Sequence, residues 1–186
     1  MKRLTSIFII ILLLVGLGYA ISFVQEEMAF REDLRQRPMP DRLHPFVADK
    51  RDQLVADAAD LGISILITDG FRSAEEQDRL YAQGRSAPGN IVTTVRSGES
   101  YHNFGLAIDF ALKLEDGSVV WDLERDDNGN GMSDWFEVAD LGKAIGFVWG
   151  GDWRNFKDYP HLEMTFGLSI TELQEGWRPE DVIGEE

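Results

Sequence analysis

Hydrophobic positions along the chain follow three different rhythms. The first is an almost unbroken apolar run from Leu4 to Phe23, interrupted among polar residues only by Thr5, Ser6 and Ser22 and preceded by Lys2 and Arg3. A basic start followed by about 20 apolar residues is the pattern of an export signal and is long enough to cross a bilayer as a helix. Gly18-Tyr19-Ala20 offers a small-x-small cleavage site, so residues 1–23 read as a signal peptide or a membrane anchor. The positive-inside rule then leaves everything after Phe23 outside the cytoplasm.

The second rhythm is helical. Phe46, Val47, Leu54, Val55, Ala58 and Leu61 predict a helix from Pro45 to Leu61 that Gly62 ends, and residues 135–145 predict another. Ser73-x-x-Glu76 is a capping box that opens a helix reaching about Gln83. The third rhythm belongs to short strands: a buried one at Ile63–Thr68, a hairpin of Ala107–Leu112 and Val119–Trp121 around Asp116-Gly117, and a last one at 161–166. Gly84 to Ser100 reads as a long loop, and no internal repeat is visible. Helices early and late with antiparallel strands between them give an α+β class, a small antiparallel sheet with flanking helices. The expected organisation is a charged spacer over 24–43, a domain over 44–170 and an acidic tail over 171–186.

Charge narrows the function. Thirty-three acids against 18 Lys and Arg give a formal net charge of −15, which excludes nucleic acid as a partner because phosphates need basic patches. That charge is concentrated. Residues 115–140 hold nine acids and one base, and residues 172–186 hold six acids and one base. The chain has no cysteine, which removes disulfide scaffolds, thiol catalysis and Cys-ligated zinc.

Two of the three histidines sit in unusual surroundings. In Ser100-Tyr101-His102-Asn103-Phe104-Gly105-Leu106-Ala107-Ile108-Asp109, a strand starting at Ala107 puts Asp109 on one face between two alanines. A carboxylate facing inward needs a partner, and Gly105 lets the chain bend so that His102 and Asp109 converge. In Asp158-Tyr159-Pro160-His161, the proline biases Tyr159 away from helix, so His161 begins an extended segment. Two histidines and a carboxylate form the open ligand set of catalytic zinc. These residues alone leave open whether the histidines bind a metal or only hydrogen-bond. His44 matches no pattern and reads as a surface residue.

Ser100-x-His102-x-x-Gly105-x-Ala107-x-Asp109 followed by Asp158-x-x-His161 resembles the zinc peptidases of bacterial cell-wall stem peptides, which include D-alanyl-D-alanine carboxypeptidases and L-alanyl-D-glutamate endopeptidases. The likeness extends to Gly70-Phe71-Arg72-Ser73 with Gln77 and to Trp149-Gly150-Gly151-Asp152-Trp153, covering residues 45–166. The resemblance implies Zn²⁺ held by His102, Asp109 and His161, with Asp158 as general base and Arg72 as the cation facing the scissile carbonyl. It also implies Ser100, Gln77, Asp152 and Trp153 as lining of the substrate groove, and peptidoglycan stem peptides as substrate. An Asp at the base position together with the Trp-Gly-Gly-Asp-Trp block looks more like the endopeptidases. The alternatives are a D-alanyl-D-alanine carboxypeptidase and, from another class, a non-catalytic zinc-stabilised cell-wall-binding domain. The chain is expected to act as a monomer, in contact with membrane only through an uncleaved N-terminal segment.

A second cation site is legible from spacing. Asp126, Asn128, Asn130, Gly131, Met132, Asp134 and Glu137 fall at positions 1, 3, 5, 6, 7, 9 and 12 of a twelve-residue Ca²⁺ loop, with Met132 contributing its carbonyl. A helix follows the loop but a strand precedes it, so the match is EF-hand-like without an entering helix. The alternative is a solvated acidic turn.

Overall fold

The computed structural model describes residues 2–184, with side chains described from Ile11 onward. Glu185 and Glu186 at the end of the acidic tail, Met1, and the side chains of Lys2 and Arg3 lie outside the described residues. The chain forms two compact units, one of Met1–Pro38 with Glu175–Trp177 and the other of Met39–Gln174 with Arg178–Glu186.

The first unit is α1 (Lys2–Gln36), which continues the apolar run through the charged residues that follow it. Its Ile11–Gln36 stretch is long and apolar enough to cross a membrane by length and composition. Near its end Phe30 meets the Trp177 ring edge-on at 5.6 Å. Gly176, at φ 103°, lies against Leu34, where a Cβ would fall 1.9 Å from the Leu34 carbonyl oxygen.

The second unit is built on a five-stranded antiparallel sheet. In chain order its elements are α2 (Pro45–Asp60), β1 (Ile65–Asp69), α3 (Ala74–Ala82), β2 (Ala107–Lys113), β3 (Val119–Val120), α4 (Asp134–Ala144), β4 (Val148–Trp149), β5 (His161–Glu163) and α5 (Ile170–Gln174). The strands run β1-β2-β5-β4, with β3 pairing to β2 as the returning arm of the hairpin. Alternation along β2 separates two faces. Ile108, Phe110 and Leu112 face the helices, where Phe110 meets Trp135 of α4 at 4.9 Å between ring centroids. Leu54 and Ala58 of α2, Val138 and Ala139 of α4, and Leu162 of β5 complete this core, all fully buried. Gly142 lets α4 approach closely, since a Cβ there would lie 3.0 Å from the Leu162 side chain.

The expected elements occur with shifted ends. α2 stops at Asp60, and Gly62 at φ 81° turns the chain out of it. The capping box at Ser73 and Glu76 closes in both directions, and α3 ends one residue before Gln83. β1 is not the buried strand expected at 63–68: only one of its faces is covered, and Leu66 is 42% exposed. The last strand stops at Glu163 rather than 166, because Phe166 and Gly167 both take positive φ and turn the chain. Trp121 lies outside β3 and is 59% exposed. The two-residue strand β4 and helix α5 had no sequence signal strong enough to mark them. His44 is not a surface residue: it precedes α2 with its side chain only 16% exposed and its ring 5.4 Å from that of Phe166.

Candidate active site

Sheet register builds the floor of the site. Asp69 of β1 pairs with Asp109 of β2, which pairs on its other side with His161 of β5. Directly opposed residues of antiparallel strands bring their side chains within about 5 Å, so three polar residues stand in a row on the face away from the helices. His102 joins them from a 3₁₀ turn, Tyr101–Phe104, capped by the Ser100 hydroxyl, which accepts the His102 N–H at 3.3 Å. Gly105 ends that turn at φ 67°, where a Cβ would fall 2.3 Å from the Arg42 carbonyl oxygen, so no other residue fits.

His102 Nε2 lies 3.3 Å from Asp109 Oδ1, His161 Nδ1 lies 3.2 Å from the same oxygen, and the two nitrogens are 3.2 Å apart. The other nitrogen of each ring is also occupied. His102 Nδ1 meets the Gly70 carbonyl at 2.7 Å, and His161 Nε2 meets Glu163 Oε2 at 3.0 Å. This is the outer support that fixes tautomer and ring direction in metal-binding histidines. Two imidazoles and a carboxylate that aim at one point, with their far sides held, fit a Zn²⁺ ion that keeps a position for water.

The electrostatics follow from burial and contact. For Asp109, burial would push the pKa up, but hydrogen bonds from His102 and His161 outweigh it and hold the carboxylate well below its ordinary range. Burial would lower the His161 pKa, yet its hydrogen bonds to Asp109 and Glu163 raise it to about 9. Asp158 is shifted upward, first by its own burial and then by the charge of Asp109. A raised carboxylate pKa brings proton acceptance and release closer to neutrality.

Arg72 and Asp158 share the cleft with the His102–Asp109–His161 cluster. The cleft, about 750 Å³, is lined by Arg72, His102, Asp109, Asp158 and His161, with Ser100, Tyr101 and Trp153 on its walls and Ile91, Val92, Trp121 and Phe156 at its exposed apolar edge. Arg72 is pinned: its Nε donates to Asp69 Oδ2 at 3.0 Å and its Nη1 to Gln77 Oε1 at 2.9 Å, while Nη2 lies 3.7 Å from Asp109 Oδ2. Its backbone N–H donates to the His102 carbonyl, and the Asn103 side chain returns a bond to the Arg72 carbonyl. The turn from Asp158 to His161 is held from behind. The indole N–H groups of Trp135 and Trp149 both donate to the Tyr159 carbonyl, at 3.1 and 2.8 Å.

Two groove residues expected from sequence are placed elsewhere. Gln77 is fully buried and outside the lining of this cleft; its Oε1 holds Arg72 and its Nε2 donates to the Val95 carbonyl at 2.8 Å, tying the 84–100 loop down. Asp152 points to solvent beside Lys143 at 3.5 Å, outside the cleft lining. Ser100 and Trp153 do line the cleft, and the Trp153 ring lies 5.2 Å from that of His161. Two further residues belong to the site without a motif of their own, Asp69 and Glu163. The strand period signals Glu163, which shares a face with His161 two positions earlier.

The Ca²⁺-loop residues stand together at the head of α4. Asp126 accepts the N–H groups of Asn130 and Gly131, Asn128 accepts that of Asn130, and Asn130 accepts that of Met132. Asp134 and Glu137 are buried.

Known proteins resemble this chain closely. Residues 93–164 match the family model described as D-alanyl-D-alanine carboxypeptidase. The peptidoglycan L-alanyl-D-glutamate endopeptidase CwlK of Bacillus subtilis is 55% identical over 157 residues, which is 84% of this chain and 94% of that protein. An L-alanyl-D-glutamate peptidase of Listeria phage A118 is 34% identical over 105 residues, 56% of this chain and 32% of that protein. Among solved structures, the L,D-carboxypeptidase DacB from Streptococcus pneumoniae shares the fold, with a TM-score of 0.50, 23% identity and 80% of each chain covered. Identity at the CwlK level over nearly its whole length decides the kinship: the chain belongs to the family of cell-wall metallopeptidases that contains the D-alanyl-D-alanine carboxypeptidases and the L-alanyl-D-glutamate endopeptidases.

Proposed function

We propose that this protein is a zinc-dependent peptidase acting outside the cytoplasm on peptidoglycan stem peptides, and that it cuts the L-alanyl-D-glutamate bond. The observation that carries the reading is the meeting of His102, Asp109 and His161 in a cleft that also holds Arg72 and Asp158. The identity to CwlK supports the choice of bond. His102 Nε2, Asp109 and His161 Nδ1 would hold the zinc, which supplies a Lewis acid that polarises a carbonyl and acidifies water. Asp158 stands outside that ligand set and takes the proton from the attacking water, then passes it to the leaving amine. Arg72, always charged, stabilises the negative charge that grows on the carbonyl oxygen. Its two anchors, Asp69 and Gln77, remove the rotamer freedom that would blur its position. Trp153 and Ser100 shape the wall against which the peptide lies.

Digestion of purified peptidoglycan with the zinc-loaded protein, followed by mass analysis of the fragments, tests the reading. New N-terminal D-glutamate is the expected result. Released D-alanine in its place would favour the carboxypeptidase reading, which the match of residues 93–164 supports. No product at all would leave a zinc-stabilised binding domain.

Gln77 yields a separate prediction. Gln77→Ala frees Arg72 Nη1 and the carbonyl of Val95 together. A small misplacement of a catalytic group costs up to about 100-fold, so kcat should fall by about 10- to 100-fold at unchanged zinc content. Parental kcat in steady-state assays, with zinc measured in parallel, would remove Gln77 from the catalytic apparatus.

A further inference from the structure

Among the described residues, two buried side-chain atoms lack a hydrogen-bond partner: His44 Nδ1 and Asp134 Oδ1. The second sits where the sequence spacing puts position 9 of a twelve-residue cation loop. Asp134 is 2% exposed, and its other oxygen accepts the Asp127 N–H across the loop at 2.9 Å. A buried carboxylate oxygen with no donor is costly in general, and a bound cation would supply the missing partner. Glu137, 7% exposed, stands at position 12 with both oxygens turned to the loop. They take the side-chain amides of Asn128 at 3.0 Å and Asn130 at 2.7 Å, the two residues at positions 3 and 5. Gly131, at φ 85°, makes the sharp turn at position 6.

From these observations we propose that the segment Asp126–Glu137 is a calcium site, separate from the zinc cleft and formed by Asp126, Asn128, Asn130, the Met132 carbonyl, Asp134 and Glu137. Its all-oxygen set with a position-12 carboxylate able to bind through both atoms suits the larger, irregular shell of Ca²⁺ over the rigid octahedron of Mg²⁺. Three carboxylates and two neutral amides make a site of moderate charge, in the affinity class of extracellular modules, on the order of 10⁻⁴–10⁻³ M. Occupancy bears on the catalytic turn through one residue. Asp134 opens α4, and the next residue, Trp135, donates to the Tyr159 carbonyl between Asp158 and His161.

The site is tested by titrating the zinc-loaded full chain with CaCl₂ in a calorimeter, with MgCl₂ as a second arm and zinc content measured before and after. Thermal unfolding is followed in the same buffers. One saturating equivalent of Ca²⁺ with zinc retained, and a melting temperature that rises with Ca²⁺, are expected. Asp126→Asn, at an exposed position, and Glu137→Gln should each weaken binding at least about tenfold, the cost of one charged ligand of roughly 1.4 kcal/mol. Asp140→Asn, outside the loop, should bind as the parent does. No saturable heat at millimolar Ca²⁺, saturation by Mg²⁺ but not by Ca²⁺, or parental affinity in Asp126→Asn would each overturn the proposal. None of these readouts depends on peptide hydrolysis, so they stand apart from the peptidase assignment.

Discussion

Asp158→Ala is expected to give a protein that binds zinc as the parent does and hydrolyses stem peptides about 10²- to 10⁴-fold more slowly, the range of a lost general base. The separation between binding and turnover is the point of the experiment. Asp158 lines the cleft but does not belong to the group of ligand atoms that converge, so its removal leaves the metal's donors in place. Its pKa is raised by burial and by Asp109, the setting that makes a carboxylate a useful proton carrier. Steady-state kinetics alongside metal analysis reads both quantities. Activity within a few-fold of the parent would sink the base assignment, and loss of zinc would move Asp158 into the ligand set.

Asp109→Asn should have the opposite signature. It is nearly isosteric, yet the metal goes first. The Asp109 carboxylate meets both histidines through one oxygen and is the only acidic residue of the converging group. An amide offers the same oxygen without the charge and adds an N–H₂ that faces imidazole nitrogens. Zinc content should fall from one equivalent to a small fraction, with activity falling to that of the metal-free protein. Circular dichroism should remain close to the parent, because the core is on the opposite face of β2. A variant that keeps one zinc and parental turnover would show that the metal does not need this carboxylate.

The grouping of His102, Asp109 and His161 is legible in the sequence because each piece is local. Asp109 follows His102 by seven residues across a single glycine-ended turn, and a proline announces the extended segment that starts at His161. What joins the two pieces is cross-strand register, and neither segment carries that information by itself. Asp109 opposite His161 is a property of β2 and β5 together. The same gap explains Gln77 and Asp152. Both stand in family-like blocks, but proximity along the chain does not say which side of a backbone faces the cleft. Gln77 turned inward as a strut for Arg72, and Asp152 turned outward to Lys143. The apolar neighbours of His44 in sequence, Leu43, Phe46 and Val47, do not tell which way its own ring turns. Its neighbour Phe166 comes from beyond the last strand, and Glu180, at 3.3 Å, from further still. Strand β4 is two residues long, too short for any period to register.

Both lone pairs of the Tyr159 carbonyl are taken by indoles from two different elements, Trp135 on α4 and Trp149 on β4. The peptide between the proposed base and the last proposed metal ligand is therefore held by helix and sheet together. Such wiring limits how this scaffold can diversify. Substitutions on the exposed apolar rim, at Ile91, Val92, Trp121 and Phe156, would change the mouth of the cleft and leave both bonds to this carbonyl in place. Changes at the floor would have to come in pairs.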